Sequence, residues 1–206
     1  IECFDISNTQ GSNPVASCVV FRNANPSKKE YRDFIIKTVK GINDFASIEE
    51  VVYRRFRRLM EDNESLPQLV IIDGGKGQLS SALKSLRTLN VEDKLRLIGI
   101  AKRLEEIYFP GDSVPLYLNK NSQSLKLIQN IRNEAHRFGI TFHRNKRIKS
   151  ALISEIDNIP GVGDKTVQKL IEKFGNISLA KEAELEQLIE VAGEKKGRVI
   201  FDFFRG

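Results

Sequence analysis

The sequence predicts an α/β domain carrying a small all-α appendage, and three observations predict it. Short runs of Val, Ile, Phe and Tyr divided by turn residues fill the first forty positions, as antiparallel strands do. Apolar runs at 69–72 and about 95–100 are continuous rather than alternating, as in parallel strands buried on both faces, and helical spacing lies between them. Beyond about residue 149 only helical spacing remains. Strands, then alternating strand and helix, then helices alone give that architecture.

Residues 1–7, about 14–22 and about 29–37 read as a three-stranded antiparallel meander, divided by Gly11-Ser12-Asn13-Pro14 and by Asn23 to Ser27. A helix at about 44–62 places Ile48, Val51, Val52, Phe56 and Leu59 on one stripe and Arg54, Arg55, Arg57 and Arg58 on the other faces. Next come a strand at 68–73 between Pro67 and Gly74-Gly75, a helix at about 77–89 and a strand at about 95–100. Residues 105–118 read as a hairpin around Pro110-Gly111-Asp112. A helix at about 122–142 then lines up Leu125, Ile128, Ile131, Ala135, Phe138 and Phe142.

The basic stretch from Arg144 to Ser150 reads as a linker, which sets domains at 1–147 and 148–206. In the second, helices at about 149–157, 164–174, 182–190 and one ending near Phe204 form two copies of a helix–turn–helix unit.

Composition narrows the partners. Residues 1–147 hold 24 Lys/Arg against 17 Asp/Glu, a net of +7, while the remainder nets −1. A basic body of that kind favours a polyanion through counterion release. No apolar run approaches the roughly 18 residues of a membrane span. The chain opens directly on strand-like sequence without a secretory leader, as expected of a piece of a longer protein. Cys3 and Cys18 have neither zinc nor disulfide-framework spacing, so a reduced, cytoplasmic setting is expected.

The chemistry concentrates at two strand ends. Asp5 follows Glu2-Cys3-Phe4, and Asp73 follows Leu69-Val70-Ile71-Ile72. An ionised acid there is costly unless something pairs with it or coordinates it. If the two strands lie side by side and parallel, both carboxylates reach one sheet edge about 4.8 Å apart. That spacing suits Mg²⁺ or Mn²⁺ and attack on a phosphodiester. The alternative is that each aspartate caps a turn or helix. Gly74-Gly75-Lys76-Gly77-Gln78 lacks nucleotide P-loop spacing, yet lets backbone approach a phosphate with Lys76 neutralising it.

Only two histidines occur, His136 and His143, on one face of the same helix. His136 is flanked by Arg132 and Arg137, candidate phosphate contacts, and reads otherwise as a boundary histidine. Asp44 is either a helix N-cap or an outer acidic group, and Glu105 and Glu106 read as solvated. Ile159-Pro160-Gly161-Val162-Gly163 has the pattern of a helix–hairpin–helix, whose Gly161, Val162 and Gly163 N–H groups can cradle a DNA phosphate without reading sequence, the alternative being a purely structural αα-hairpin. The second copy, Val191 to Gly197, has Glu194 at its turn.

Four motifs, in order, resemble the carboxy-terminal half of UvrC, the incision subunit of bacterial nucleotide excision repair. They are Cys3-Phe4-Asp5-Ile6-Ser7 with Thr9-Gln10-Gly11, Ile72-Asp73-Gly74-Gly75-Lys76-Gly77-Gln78, Ile131-Arg132-Asn133-Glu134-Ala135-His136-Arg137-Phe138, and Ile159-Pro160-Gly161-Val162-Gly163. The resemblance implies a ribonuclease-H-like mixed sheet flanked by helices, followed by a tandem helix–hairpin–helix domain. It implies a metal-dependent endonuclease making the incision 5′ to a lesion in DNA. Asp5, Asp73 and His136 would be the metal-binding catalytic triad with Mg²⁺ or Mn²⁺, and Asp44 a further catalytic acid. The expected partners are double-stranded DNA with a lesion or bubble and the UvrB–DNA complex, although the main UvrB-contacting segment and the 3′-incision nuclease are absent from this sequence. Another ribonuclease-H-like nuclease, such as a junction resolvase, and a non-catalytic DNA-binding scaffold are the alternative readings.

Overall fold

The computed structural model describes residues 1–7, 15–39, 41–101, 106–156, 161–175 and 177–205, without the side chains of His143, 145–156 and 177–178. The Thr9-Gln10-Gly11 motif, the Gly11–Pro14 turn, Glu105 and the stretch 158–160 lie outside the described residues, as does the His143 side chain. The chain divides into two compact units, Ile1–Thr141 and Phe142–Gly206.

The first unit is built on a seven-stranded mixed sheet. Its strands are β1 (Glu2–Ser7), β2 (Val15–Arg22), β3 (Asn25–Pro26), β4 (Arg32–Ile35), β5 (Leu69–Asp73), β6 (Arg96–Ala101) and β7 (Glu106–Tyr108). Their order is β3-β2-β1-β5-β6-β7, with β4 also on β2. The expected meander is present: β1 pairs antiparallel with β2, and β2 with β4. β1 pairs parallel with β5, and β5 with β6. Parallel neighbours need crossovers, and α1 (Asp44–Glu61) and α2 (Lys76–Thr88) lie on them.

Strand parity decides which residues meet which layer. Phe4, Val70 and Ile72 face α1 and α2 through Ile48, Val51, Val52, Phe56, Leu79 and Leu86. Cys3, Val19, Ile71 and Ile98 face the opposite side, where Ile131 and Ala135 of α3 (Gln123–Ile156) cover them. Each fully buried aliphatic or phenyl side chain contributes about 1.5–3 kcal/mol before entropy is charged against it.

Three expectations need correction. Arg55 does not share the solvated faces of α1: it is buried, and its guanidinium donates from Nε (3.2 Å) and Nη2 (2.6 Å) to the buried Glu2 carboxylate. Helical periodicity assigns a face, but a partner across the layer turned this arginine inward. The hairpin at 105–118 is present but shorter than expected: it turns around Pro110-Gly111-Asp112 and is bridged antiparallel at Ile107 and Leu116, with no further pairing between its arms among the described residues, and β7 pairs with β6. The next ladder pair would be Phe109 with Val114, but the Phe109 carbonyl accepts from Asp112 N at 3.2 Å instead, which closes a tight turn there. Arg144–Ser150, expected as a linker, is helical, because α3 continues to Ile156. That stretch is charged but holds neither Pro nor Gly, and charge alone does not stop a helix.

The second unit holds α4 (Asp164–Phe174), α5 (Ile177–Glu182), α6 (Leu185–Ala192) and α7 (Glu194–Arg205) around Val167, Leu170, Ala183, Leu188 and Ile200. α5 is too short for its periodicity to be read. Gly175 ends α4 in the left-handed region at φ 73°, as a glycine after a helix does. The two turns differ. Gly161 (φ 84°), Val162 and Gly163 precede α4, whereas Gly193 (φ 84°) alone separates α6 from α7. Glu194, expected in the second turn, is instead the first residue of α7, and the turn is Gly193 alone.

Candidate metal centre

Asp5 and Asp73 share a sheet edge because of register. Glu2, Cys3 and Phe4 lie opposite Val70, Ile71 and Ile72, so the next step brings Asp5 beside Asp73. Both have the parity of Cys3 and Ile71, which puts their carboxylates on the face covered by α3. Each is nearly sealed from solvent, Asp5 at 2% and Asp73 at 5% exposure. Their joint field reaches Cys3, whose thiol is pushed well up by burial first and then by Asp73 and Asp5.

α3 delivers the third group. Ser17, opposite Asp5 on β2, donates its hydroxyl to the Ala135 carbonyl at 2.9 Å. One turn along, a Cβ on Gly139 would lie 3.2 Å from Ser17 Oγ and 3.9 Å from Asp5 Oδ2, so the helix rides close over the strand where 139 has no side chain. His136, next to Ala135, then reaches Asp5: Nδ1 is 3.0 Å from Oδ2. Toward an ionised carboxylate, which only accepts, Nδ1 is the nitrogen that donates, and Nε2 points away from this bond. The imidazole is 53% exposed, which leaves the cluster open on one side.

One ligand atom from each of Asp5, Asp73 and His136 lies within 4.8 Å of the others. Ligands on opposite sides of a Mg²⁺- or Mn²⁺-sized ion at about 2.1 Å stand roughly 4.2 Å apart, so small side-chain rotations would close the set on one cation. Two buried carboxylates with ligand atoms within 4.8 Å of each other are costly while both are ionised, and a cation between them relieves that cost. The donor set therefore fits a divalent metal, with oxygen donors suited to Mg²⁺ or Mn²⁺ and an imidazole that also accepts Mn²⁺.

The other predicted residues are not among the three clustered ligands. Asp44 is the first residue of α1, and Asn43 supplies the N-cap through Oδ1, accepting from Ala46 N at 3.1 Å. Asp44 is not among the three clustered ligands. Lys76 opens α2; its ammonium donates to the Ser113 carbonyl at 2.5 Å and sits 4.8 Å from the centroid of the Tyr108 ring. Arg137 is surface-exposed but tied to Glu134 by Nε and Nη2 bonds of 2.7 and 2.8 Å, and this pairing, more than the Tyr31 hydroxyl, holds Glu134 below the usual carboxylate range. Arg132 is half-buried beside Asn133. Glu106 accepts from the Tyr108 and Tyr117 hydroxyls at 2.7 Å each, so it is engaged rather than merely solvated.

In the second unit, Gly161, Val162 and Gly163 border a shallow cavity of about 530 Å³, together with Asp164, Lys165, Thr166 and Lys196. No Cβ at Gly161 or Gly163 would meet a neighbour within 4 Å, so their backbone faces open space. The sequence reading passed over Ser17 and Gly139, and also Asp33. Asp33 lies opposite Ser17 on β4, in the same cross-strand row as Asp5.

A mixed sheet of this order, with two acids at adjoining strand ends and a histidine brought over them by a long helix, defines a ribonuclease-H-like domain. Residues 1–140 match the family model described as the UvrC RNAse H endonuclease domain. UvrABC system protein C of Christiangramia forsetii is 60% identical over 204 residues, covering 99% of this chain and 34% of that protein. Its counterpart in Porphyromonas gingivalis strain W83 is 51% identical, covering 100% of this chain and 34% of its own length. The chain belongs to the UvrC family. It spans about a third of the length of these relatives. Among solved structures, Ciona intestinalis endonuclease V in complex with an inosine-containing 24mer DNA gives a TM-score of 0.36 at 20% identity, over 65% of this chain and 55% of that one. No helix among the described residues is long and apolar enough to cross a membrane.

Proposed function

We propose that this chain is a divalent-metal-dependent DNA endonuclease, the part of a nucleotide-excision-repair nuclease that makes the incision 5′ to a lesion. The observation that carries it is the convergence of Asp5, Asp73 and His136 ligand atoms within 4.8 Å at one sheet edge. Asp5 and Asp73 would hold Mg²⁺ or Mn²⁺, with His136 as third ligand through Nε2 or, when Nε2 is also protonated, as the donor of the proton that the leaving oxygen takes. When bound, the ion supplies Lewis-acid stabilisation of the scissile phosphate and a more acidic water. Asp5 also fixes the His136 ring through the Nδ1 bond. Asp44 would act as an accessory acid at the start of α1. Lys76, Arg132 and Arg137 would neutralise phosphates, Lys76 by exchanging the Ser113 carbonyl for one.

Residues 148–206 would form a DNA-binding domain of two helix–hairpin–helix units, with the Gly161-Val162-Gly163 backbone on a phosphate. The substrate is double-stranded DNA with a lesion or bubble, presented in the full protein as a UvrB–DNA complex in the cytoplasm. The test is incubation of the purified chain with end-labelled bubble DNA in Mg²⁺, in Mn²⁺ and in EDTA, beside an Asp73→Asn variant. Metal-dependent nicking lost in that variant is the expected result. Nicking that persists in EDTA, or survives in Asp73→Asn, would overturn the reading.

A further inference from the structure

Phe45 is an aromatic ring without a place in the core. It lies in the first turn of α1, on the extension of the stripe formed by Ile48, Val52 and Phe56, yet it is 56% exposed while those three are fully buried. Its seat is on α2 instead. A Cβ built on Gly77 would meet the Phe45 ring at 2.4, 3.0 and 3.2 Å (Cε1, Cζ and Cδ1), so one ring edge rests directly on the Gly77 backbone. Gly77 is four residues beyond Asp73, in the turn of helix that opens after Gly74-Gly75. A large apolar ring is thus held against the first turn of α2, four residues along the chain from one candidate metal ligand, with Asp44 and Lys76 as chain neighbours of the contacting pair. Ile42, three residues earlier, is also exposed.

Leaving a phenyl ring half in water forgoes the gain of burying it. An unpaired nucleobase would cover it. Every base presents a π-face, and aromatic side chains beside a charged backbone track are how single strands are held without sequence reading. Residues 1–147, which carry a net charge of +7, draw a polyanion toward them.

Resting on the nuclease reading above, we propose that Phe45 is a stacking platform for an unpaired base next to the phosphate to be cut, and that Gly77 is the seat that keeps the ring in place. Phe45 then determines specificity for bubble over paired DNA and takes no part in holding metal.

The test uses 2-aminopurine walked through the unpaired strand of a bubble, with the intact chain in EDTA so that the strand is not cut. Unmutated protein should quench the probe at one or two neighbouring positions. Phe45→Leu, which keeps apolar bulk, and Phe45→Ala should both abolish the quenching and weaken bubble affinity about ten-fold while duplex affinity stays level. Phe45→Tyr should restore both. No quenched position with unmutated protein, or full quenching in Phe45→Leu, would overturn the platform. Metal-dependent nicking and its loss in Asp73→Asn are scored separately, so failure of the platform leaves the nuclease reading standing and the reverse is equally visible.

Discussion

His136 Nδ1 stands 3.0 Å from Asp5 Oδ2, across 131 residues of sequence, and this bond joins the helical layer to the edge of the sheet. It orients an imidazole toward two carboxylates that strand register has already placed side by side. Replacing Asp5 by Asn keeps the shape and removes the charge. The variant should melt within a few degrees of the unmutated chain yet bind Mn²⁺ far more weakly, with nicking down at least about 100-fold. Asp73→Asn should behave alike. Calorimetric Mn²⁺ titration and nicking assays check both, and near-normal metal affinity in either variant would sink the shared site.

A different carboxyl contributes to the pH dependence of stability. Asp33 Oδ1 is buried with no hydrogen-bond partner among the described residues, and burial pushes its pKa up from 3.8 to about 6. A folded-state pKa above the unfolded value means the native state binds the proton more tightly. The cost of ionising Asp33 is therefore absent below about pH 4, grows between 4 and 6, and is complete above 6. The full shift would cost roughly 3 kcal/mol; partial exposure reduces the expectation to about 1. Asp33→Asn should raise the melting temperature at pH 7.5 and leave it unchanged at pH 4. A variant less stable at pH 7.5 would show that the carboxylate is paired after all.

How much of this was legible in the sequence depends on the range of the interaction. Asp5 and Asp73 stand out because a charge closes an apolar run, and a parallel β1–β5 pair is all that is needed to bring them to one edge. α1, α2 and the parallel strands were legible to within a residue or two, since their periodicity is local. Ser17 and Gly139 were not, because their meaning lies in a helix crossing a strand 118 residues away from it. Arg55 was misplaced for the same reason: its partner Glu2 sits in another layer, 53 residues off. Asn43 displaced Asp44 as the cap of α1 because both are good caps, and a one-residue choice between neighbours is not written in propensity.

The Glu2–Arg55 pair makes a prediction about stability rather than chemistry. Both side chains are buried and held by forked hydrogen bonds, and the Cys18 thiol lies 3.6 Å from Glu2 Oε2. Arg55→Ala would strand a buried carboxylate at a cost of about 3–5 kcal/mol, or a fall of roughly 10 °C in melting temperature. The double change Glu2→Leu with Arg55→Met removes both charges and should recover much of that loss. A thermal melt of the four combinations measures the coupling, and additive losses would mean that the pair is not a unit.

The last prediction separates holding DNA from cutting it. Gly161 adopts φ 84°, where a side chain is strained, and Gly163 caps α4 with open space where its Cβ would stand. Replacing both by Val would bend the first turn and put methyl groups where a phosphate is expected to meet backbone N–H donors. Such contacts carry no sequence information, so binding should fall by a similar factor on every sequence tested, about ten-fold for one lost charge-assisted phosphate clamp. The second turn should matter less, because Gly193 alone breaks α6 from α7 and Glu194 follows it at once. Mn²⁺ affinity should be unchanged, since Asp5, Asp73 and His136 all belong to the other compact unit. Anisotropy titrations of bubble and duplex DNA, beside calorimetry with Mn²⁺, make the comparison. If the double-valine variant folds and binds bubble DNA as tightly as before, the first turn serves only to join helices.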